Sequence, residues 1–330
     1  MNDERISRAR GCLMGLAIGD ALGGPTEGKS FGAIEKKWGR VSGFLSEDQT
    51  GSDDTEYALF NAGLLLSHGR NLTAALIADH WKKDIALSSN GFRGAGFSEM
   101  LAMRNLRAGL LPPASGRHLH SWSDGLAMRV APFGIVAGGR PDLAARLAAM
   151  DGSVTHAGEG IYSGQAVAAA IAHAMTGAPL SALIESAYGV IPADSWTRRG
   201  IERGVALASK SADIWSALPL LYDGLANTSY HWPDIAPEAV AMAFGILVAS
   251  RGVFRDAVLG GVNIGRDTDT IAGIVGAILG AQQGIGALPA GWAGRVGVAR
   301  GVCLSGVRGM NIEQTADRLV QMRGVWEDRS

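Results

Sequence analysis

Cysteine is nearly absent from this chain, with Cys12 and Cys303 the two thiols among 330 residues. So few, so far apart, they build no disulfide framework and show no metal-ligand spacing, which excludes a stapled secreted scaffold and a zinc finger. Charge is sparse as well. Charged residues make up 18%, the formal net charge is −1, and no Lys/Arg run exceeds two. That removes the electrostatic footprint of a nucleic-acid binder or a polybasic membrane binder. Long apolar runs are missing too. Arg5, Arg8 and Arg10 followed by Gly11–Gly19 mimic a leader peptide, but Asp20 cuts the run short. Ile271–Ala281 falls well under the roughly 18–20 residues needed to span a bilayer. The expectation is a cytoplasmic protein without nucleic-acid or membrane partners. No linker-like stretch and no internal repeat divides the chain, so residues 1–330 read as a single domain, expected to be a monomer.

What is present is apolar material, 47% of the residues, enough for a large core. Most Ala/Leu-rich segments have helical periodicity, and alternating β-branched runs bounded by tight turns are nearly absent. This predicts an all-α fold with helices over Ile6–Leu22, Glu56–Ser67, Leu72–Asp84, Gly96–Leu106, Asp142–Met150, Glu159–Met175, Leu180–Val190, Ala236–Ser250, Val253–Val262, Thr270–Gln282 and Glu313–Met322. Glycine is abundant, at 47 residues, and recurs inside apolar helices as Gly273, Gly276 and Gly280, which predicts close helix packing. Substrate contacts are expected on the Gly/Pro-rich connections Gly23–Gly28, Ser88–Gly94 and Leu111–Gly125.

Two acidic clusters stand at predicted helix starts: Ser52-Asp53-Asp54 before Tyr57–Leu66, and Asp267-Thr268-Asp269-Thr270 before Ile271–Leu279. Each taken alone suits helix capping, since Ser, Thr and Asp are preferred N-caps and acids favour the N-terminal dipole. A cap needs one oxygen-bearing side chain, however, and these clusters offer three or four. Four clustered carboxylates repel one another unless cations neutralise them. Oxygen donors without His or Cys suit a hard divalent cation such as magnesium better than zinc.

The segment Gly11-Cys12-Leu13-Met14-Gly15-Leu16-Ala17-Ile18-Gly19-Asp20-Ala21-Leu22-Gly23, with Glu27 following, resembles the opening motif of the ADP-ribosylglycohydrolase family. Ser52-Asp53-Asp54-Thr55-Glu56 resembles that family's first metal motif, and Gly265-Arg266-Asp267-Thr268-Asp269-Thr270-Ile271-Ala272 its second. The matches occur in family order and span most of the chain. The resemblance implies one compact multi-helix domain with a central binuclear metal cleft holding two magnesium ions, manganese being an alternative. It implies hydrolysis of the bond between ribose C1 and an acceptor, with release of ADP-ribose. Its metal ligands map onto Ser52, Asp53, Asp54, Asp267, Asp269 and Thr270, with Thr268 supporting the loop. Glu27, Asp54 and Asp269 are the candidates for proton transfer, unranked by sequence. Ser123–Arg129 aligns with a substrate loop, which marks Asp124, Gly125 and Met128 as substrate contacts. Val154-Thr155-His156 aligns with a Thr-His pair near the ribose, and Trp122 is a candidate for stacking on a base.

Three positions depart from the family pattern. Ser52 replaces a threonine and keeps the hydroxyl. Asp124 places an anion where the family offers an amide, disfavouring a nearby pyrophosphate. Arg266 replaces a glycine and is expected to supply a compensating cation to the substrate or to pair with Asp124. Ser88-Ser89-Asn90 stand near the place where arginine-specific relatives carry an aspartate. Three functions therefore stay open: hydrolysis of an ADP-ribosylated protein or small molecule, hydrolysis of a smaller N- or O-riboside lacking the ADP moiety, and a non-enzymatic binding or structural role.

Overall fold

A computed structural model describes residues 2–86 and 93–326. Among these residues there are eighteen α-helices and no sheet, so the all-α expectation holds. No helix among them is long and apolar enough to cross a membrane.

The centre of the molecule is set by helices apolar on every side, which must be enclosed by others. Along Thr268–Gln283 every residue from Thr268 to Ala281 is buried, and Ala236–Ala249 is buried nearly throughout. Thr268–Gln283 runs antiparallel to Asn2–Gly23. Their closeness is fixed by paired glycines: a methyl on Gly15 would overlap the Gly276 carbonyl, and one on Gly11 would overlap that of Gly280. The predicted role of Gly276 and Gly280 is thus observed, with backbone meeting backbone.

This pairing decides where the chemistry lies. The C-terminal end of the Asn2–Gly23 helix meets the N-terminal end of Thr268–Gln283, so that Gly23 packs on Asp269. The helix Asp53–His68 starts at the same end. Two motifs separated by more than two hundred residues are thereby brought together. The connection Ser88–Gly94 is described only at Arg93 and Gly94, so Ser88, Ser89 and Asn90 lie outside the described residues.

Candidate metal centre and its cleft

Neither acidic cluster caps its helix in the ordinary way. Ser52 and Asp267 occupy the N-cap positions of Asp53–His68 and Thr268–Gln283, and neither side chain makes a capping hydrogen bond. The Ser52 group is organised instead by Asp20. Its carboxylate accepts the Ser52 N–H at 2.7 Å, the Ser52 hydroxyl at 2.6 Å, the Thr55 N–H at 3.0 Å and the Thr55 hydroxyl at 2.5 Å. Burial, with Asp53 also contributing, pushes Asp20 up to about 6, against these hydrogen bonds, which favour the anion. Glu56 anchors the other side of the turn by accepting the N–H groups of Val302, Cys303 and Leu304 at 2.8, 2.8 and 2.6 Å.

The second cluster is tied to the Glu27 loop. Gly28 N–H donates to the Arg266 carbonyl at 2.9 Å, and Arg266 N–H donates to the Lys29 carbonyl at 2.8 Å. The Thr26 hydroxyl donates to the Thr268 oxygen at 2.9 Å, and the Thr268 hydroxyl donates to the Gly23 carbonyl at 3.0 Å. Thr268 therefore supports the loop, as expected.

Carboxylate oxygens converge in two groups, Glu27 with Asp267 and Asp269, and Asp53 with Asp54 and Asp269, each group lying within 4.8 Å. Asp269 belongs to both. Asp54, Asp267 and Asp269 are buried and raised well above the ordinary carboxylate range: burial is the first cause for each, and the largest charge effects come from Asp269, Asp124 and Asp267 respectively. Glu27 keeps part of its surface in solvent, yet desolvation and then Asp53, Asp20 and Asp234 push it up to about 7. Asp54 Oδ2 and Asp269 Oδ1 are buried without a hydrogen-bond partner. Thr270 donates to the other Asp54 oxygen at 3.2 Å. Orphaned carboxylate oxygens are costly unless something positive meets them. The all-oxygen donor set fits a hard divalent cation, and these residues could hold one in each group.

These acids line one half of a cleft of about 590 Å³. Asp124 and Met128 line it as well, as does Asp234. Phe97, Met100, Leu101, His120 and Trp232 complete much of the lining.

The ADP-ribosylglycohydrolase family model matches residues 1–329. The chain belongs to that family. An uncharacterised Archaeoglobus fulgidus protein is 31% identical over 284 residues, covering 83% of this chain and 87% of the relative. The uncharacterised Escherichia coli protein YegU is 28% identical over 314 residues, covering 87% of this chain and 90% of its own. A solved structure described as an ADP-ribosylglycohydrolase-related protein complex is similar with a TM-score of 0.68 and 26% identity, covering 97% of this chain and 99% of that one.

Several residues aligned with the ADP-ribosylglycohydrolase substrate loop sit behind the cleft. His156 is buried, with Nδ1 2.7 Å from the Thr155 hydroxyl and Nε2 3.2 Å from the Ser123 hydroxyl. Burial, then Arg129, hold it well below the usual histidine range, so it is a neutral ring. Arg129 binds Glu99 at 2.5 Å and Asp151 at 2.8 Å, with all three side chains inaccessible to solvent. Gly125 touches this network, since a side chain there would strike Glu99. Trp122 packs into an aromatic cluster, 4.6 Å from the Tyr230 ring centre and 5.2 Å from that of Phe97, and does not line the acidic cleft. Ser52 also stands back from it, its hydroxyl proton given to Asp20.

Arg266 is a correction. The guanidinium donates from Nε to Glu238 at 2.6 Å and from Nη2 to the Trp232 carbonyl at 3.0 Å, and does not line the cleft. Its φ of 65° replaces the freedom of the family's glycine and turns the side chain toward Glu238, so it neither faces the cleft nor pairs with Asp124.

Sequence reasoning missed Asp20, Asp234, Phe97 and Trp232. Asp20 did leave a signal: an acid inside the apolar run Leu13–Leu22 has to be paired once buried. Trp232-Pro233-Asp234, in an aperiodic loop, left none.

Proposed function

We propose that this protein is a magnesium-dependent hydrolase of the ribosyl C1 bond, manganese being an alternative ion. The observation that carries this reading is the sharing of Asp269 between two oxygen-only carboxylate groups that border one cleft. Two cations there would polarise a water and orient ribose hydroxyls. Asp53, Asp54, Asp267, Asp269 and Thr270 would hold them, with Ser52 reached through its oxygen lone pairs. Asp20 keeps the Ser52–Thr55 turn in shape, and the Thr26–Thr268 bond keeps Glu27 against the second group. Glu27 is the proton-transfer group, because its carboxylate lies beside Asp267 and Asp269 at the cleft and still reaches solvent. The remaining acids stabilise an oxocarbenium-like ribose by their charge.

The family implies an ADP-ribosylated protein or small molecule as substrate. A smaller riboside is the second reading, favoured by Asp124, whose Oδ2 is buried and unpartnered at the cleft wall. The test is incubation with an ADP-ribosylated protein and with simple ribosides, with and without magnesium, following release of ADP-ribose or ribose. Metal-dependent release that is lost in Glu27→Gln supports the assignment. No release from any of them would overturn it in favour of a binding role.

A further inference from the structure

The cleft has two unlike halves, and the contrast bears on what leaves when the ribosyl bond breaks. Seven carboxylates line it, and among the described residues no lysine or arginine does. The nearby cations are directed elsewhere. Lys29 Nζ donates to the Glu27 carbonyl at 3.2 Å and lies 5.9 Å from the Trp38 ring centre, and Arg266 is bound to Glu238. Arg93 is exposed and does not line the cleft. The adjoining segment 87–92 contains no basic residue in its sequence. With acids in the lining and, among the described residues, no basic side chain of the protein's own, the cleft offers a diphosphate no lysine or arginine partner.

The rest of the lining is largely aromatic and apolar. The rings of Phe97 and Trp232 are stacked, 5.1 Å apart and 28° from parallel. Phe97 is buried, whereas Trp232 is 40% exposed and lines the cleft, so the indole is the accessible ring of the pair. Met100, 59% exposed, borders the same surface. Asp234 connects the halves: it accepts the Phe97 N–H at 3.1 Å while lining the cleft. An aromatic face beside a carboxylate acceptor suits a planar heterocycle with N–H groups at its edge.

Building on the ribosyl-hydrolase reading, the geometry points to a nucleoside-type N-riboside as substrate, its ribose at the acidic half and its heterocycle on Trp232, without a 5′-diphosphate. Water is the one co-reactant. The C1′–N bond breaks with its electron pair going to nitrogen, which takes a proton, and the water oxygen ends as the C1′ hydroxyl.

The test is a substrate series on the full chain with magnesium: a purine nucleoside, its 5′-monophosphate, its 5′-diphosphate and ADP-ribosyl-arginine. Expected is a kcat/KM highest for the nucleoside and at least about tenfold lower for the diphosphate, for want of a basic partner. A preference for ADP-ribosyl-arginine or the diphosphate overturns this proposal and leaves the ribosyl-hydrolase reading standing, whereas cleavage of none overturns both. A second arm follows nucleoside binding to the metal-free protein by titration calorimetry. Trp232→Ala should weaken binding about tenfold and Trp232→Phe should restore most of it, on the scale of base–aromatic stacking. Unchanged binding in Trp232→Ala overturns the stacking assignment.

Discussion

Arg266 and Glu238 form an ion pair of 2.6 Å in which the carboxylate is buried and the guanidinium nearly so. The pair fastens the Asp267 loop to the Ala236–Ala249 helix from outside the cleft. Glu238 also accepts the Asn227 N–H at 2.6 Å, so its charge is shared between two donors.

Removing the arginine leaves a buried carboxylate short of its partner. Arg266→Ala is expected to destabilise the protein by about 3 kcal/mol, the low end for breaking a buried pair. The backbone at this position is left-handed, which glycine tolerates and alanine does not. Arg266→Gly should therefore be about 1 kcal/mol more stable than Arg266→Ala. Urea unfolding of the two variants measures the difference, and equal midpoints would show that the backbone carries no strain here.

Asp269 is common to both carboxylate groups, so its loss should act on both at once. Asp269→Ala is expected to abolish turnover and to remove magnesium binding in calorimetry. The fold should survive, because the change also deletes a charge that repels its neighbours in the metal-free protein. Melting of the metal-free variant should match or exceed that of the parent. Turnover near the parental rate would refute the metal assignment.

Burial of these acids, with their mutual repulsion added, sets a pH dependence. Asp20 is raised from 3.8 to about 6 and Glu27 from 4.5 to about 7. A carboxyl whose value rises on folding holds its proton more tightly in the folded state. Its contribution to stability is complete below the ordinary value and is lost as pH climbs through the folded value. Metal-free protein should therefore lose stability from this site between about pH 4 and 7, while magnesium binds the deprotonated acids and reverses the loss. The rise in melting temperature on adding magnesium should be small at pH 5 and largest above pH 7. A rise independent of pH would separate the metal from these carboxyls.

The legible parts of the molecule are those in which neighbours in sequence are neighbours in space. Asp53 with Asp54, and Asp267 with Asp269, are close on the chain and stay close at two helix starts, so most members of the two carboxylate groups could be read directly. The cleft wall could not, because Phe97 and the Trp232–Asp234 segment are far apart on the chain and meet only in the fold, through the ring stack and the Phe97 N–H to Asp234. Among helices, Glu159–Ala174 and Leu180–Gly189 match their periodicity within a residue. Ile214–Leu225 was missed. Pro219 interrupts its pattern, yet the helix continues, begun by an Asp213–Ser216 capping box and held by buried Ala217, Leu218 and Leu221. Trp196–Ala208 was missed because its buried face is made mostly of small residues, Thr197, Gly200, Gly204 and Ala208, with Ile201 the one large apolar side chain.

The glycine contact between the two central helices yields the last prediction, in which packing and chemistry are coupled. A methyl on Gly276 would meet the Gly15 carbonyl, a backbone atom with no rotamer to move aside. Gly276→Ala therefore has to push the helices apart, at a cost toward the upper end of overpacking, about 3 kcal/mol. Asp20 stands five residues beyond Gly15 on one helix, and Asp269 seven residues before Gly276 on the other. Separation at the glycines must spread the acid cluster at the helix ends, so magnesium affinity should fall together with the melting temperature. Gly63 is the control: it lies on the Asp53–His68 helix with open space around its Cβ position. Gly63→Ala should stabilise slightly through helix propensity and leave the affinity as it was. Calorimetric titration of both variants at a temperature where each is folded decides the matter, because a Gly276→Ala protein of reduced stability but unaltered magnesium affinity would show that the acid cluster is held independently of this helix pair.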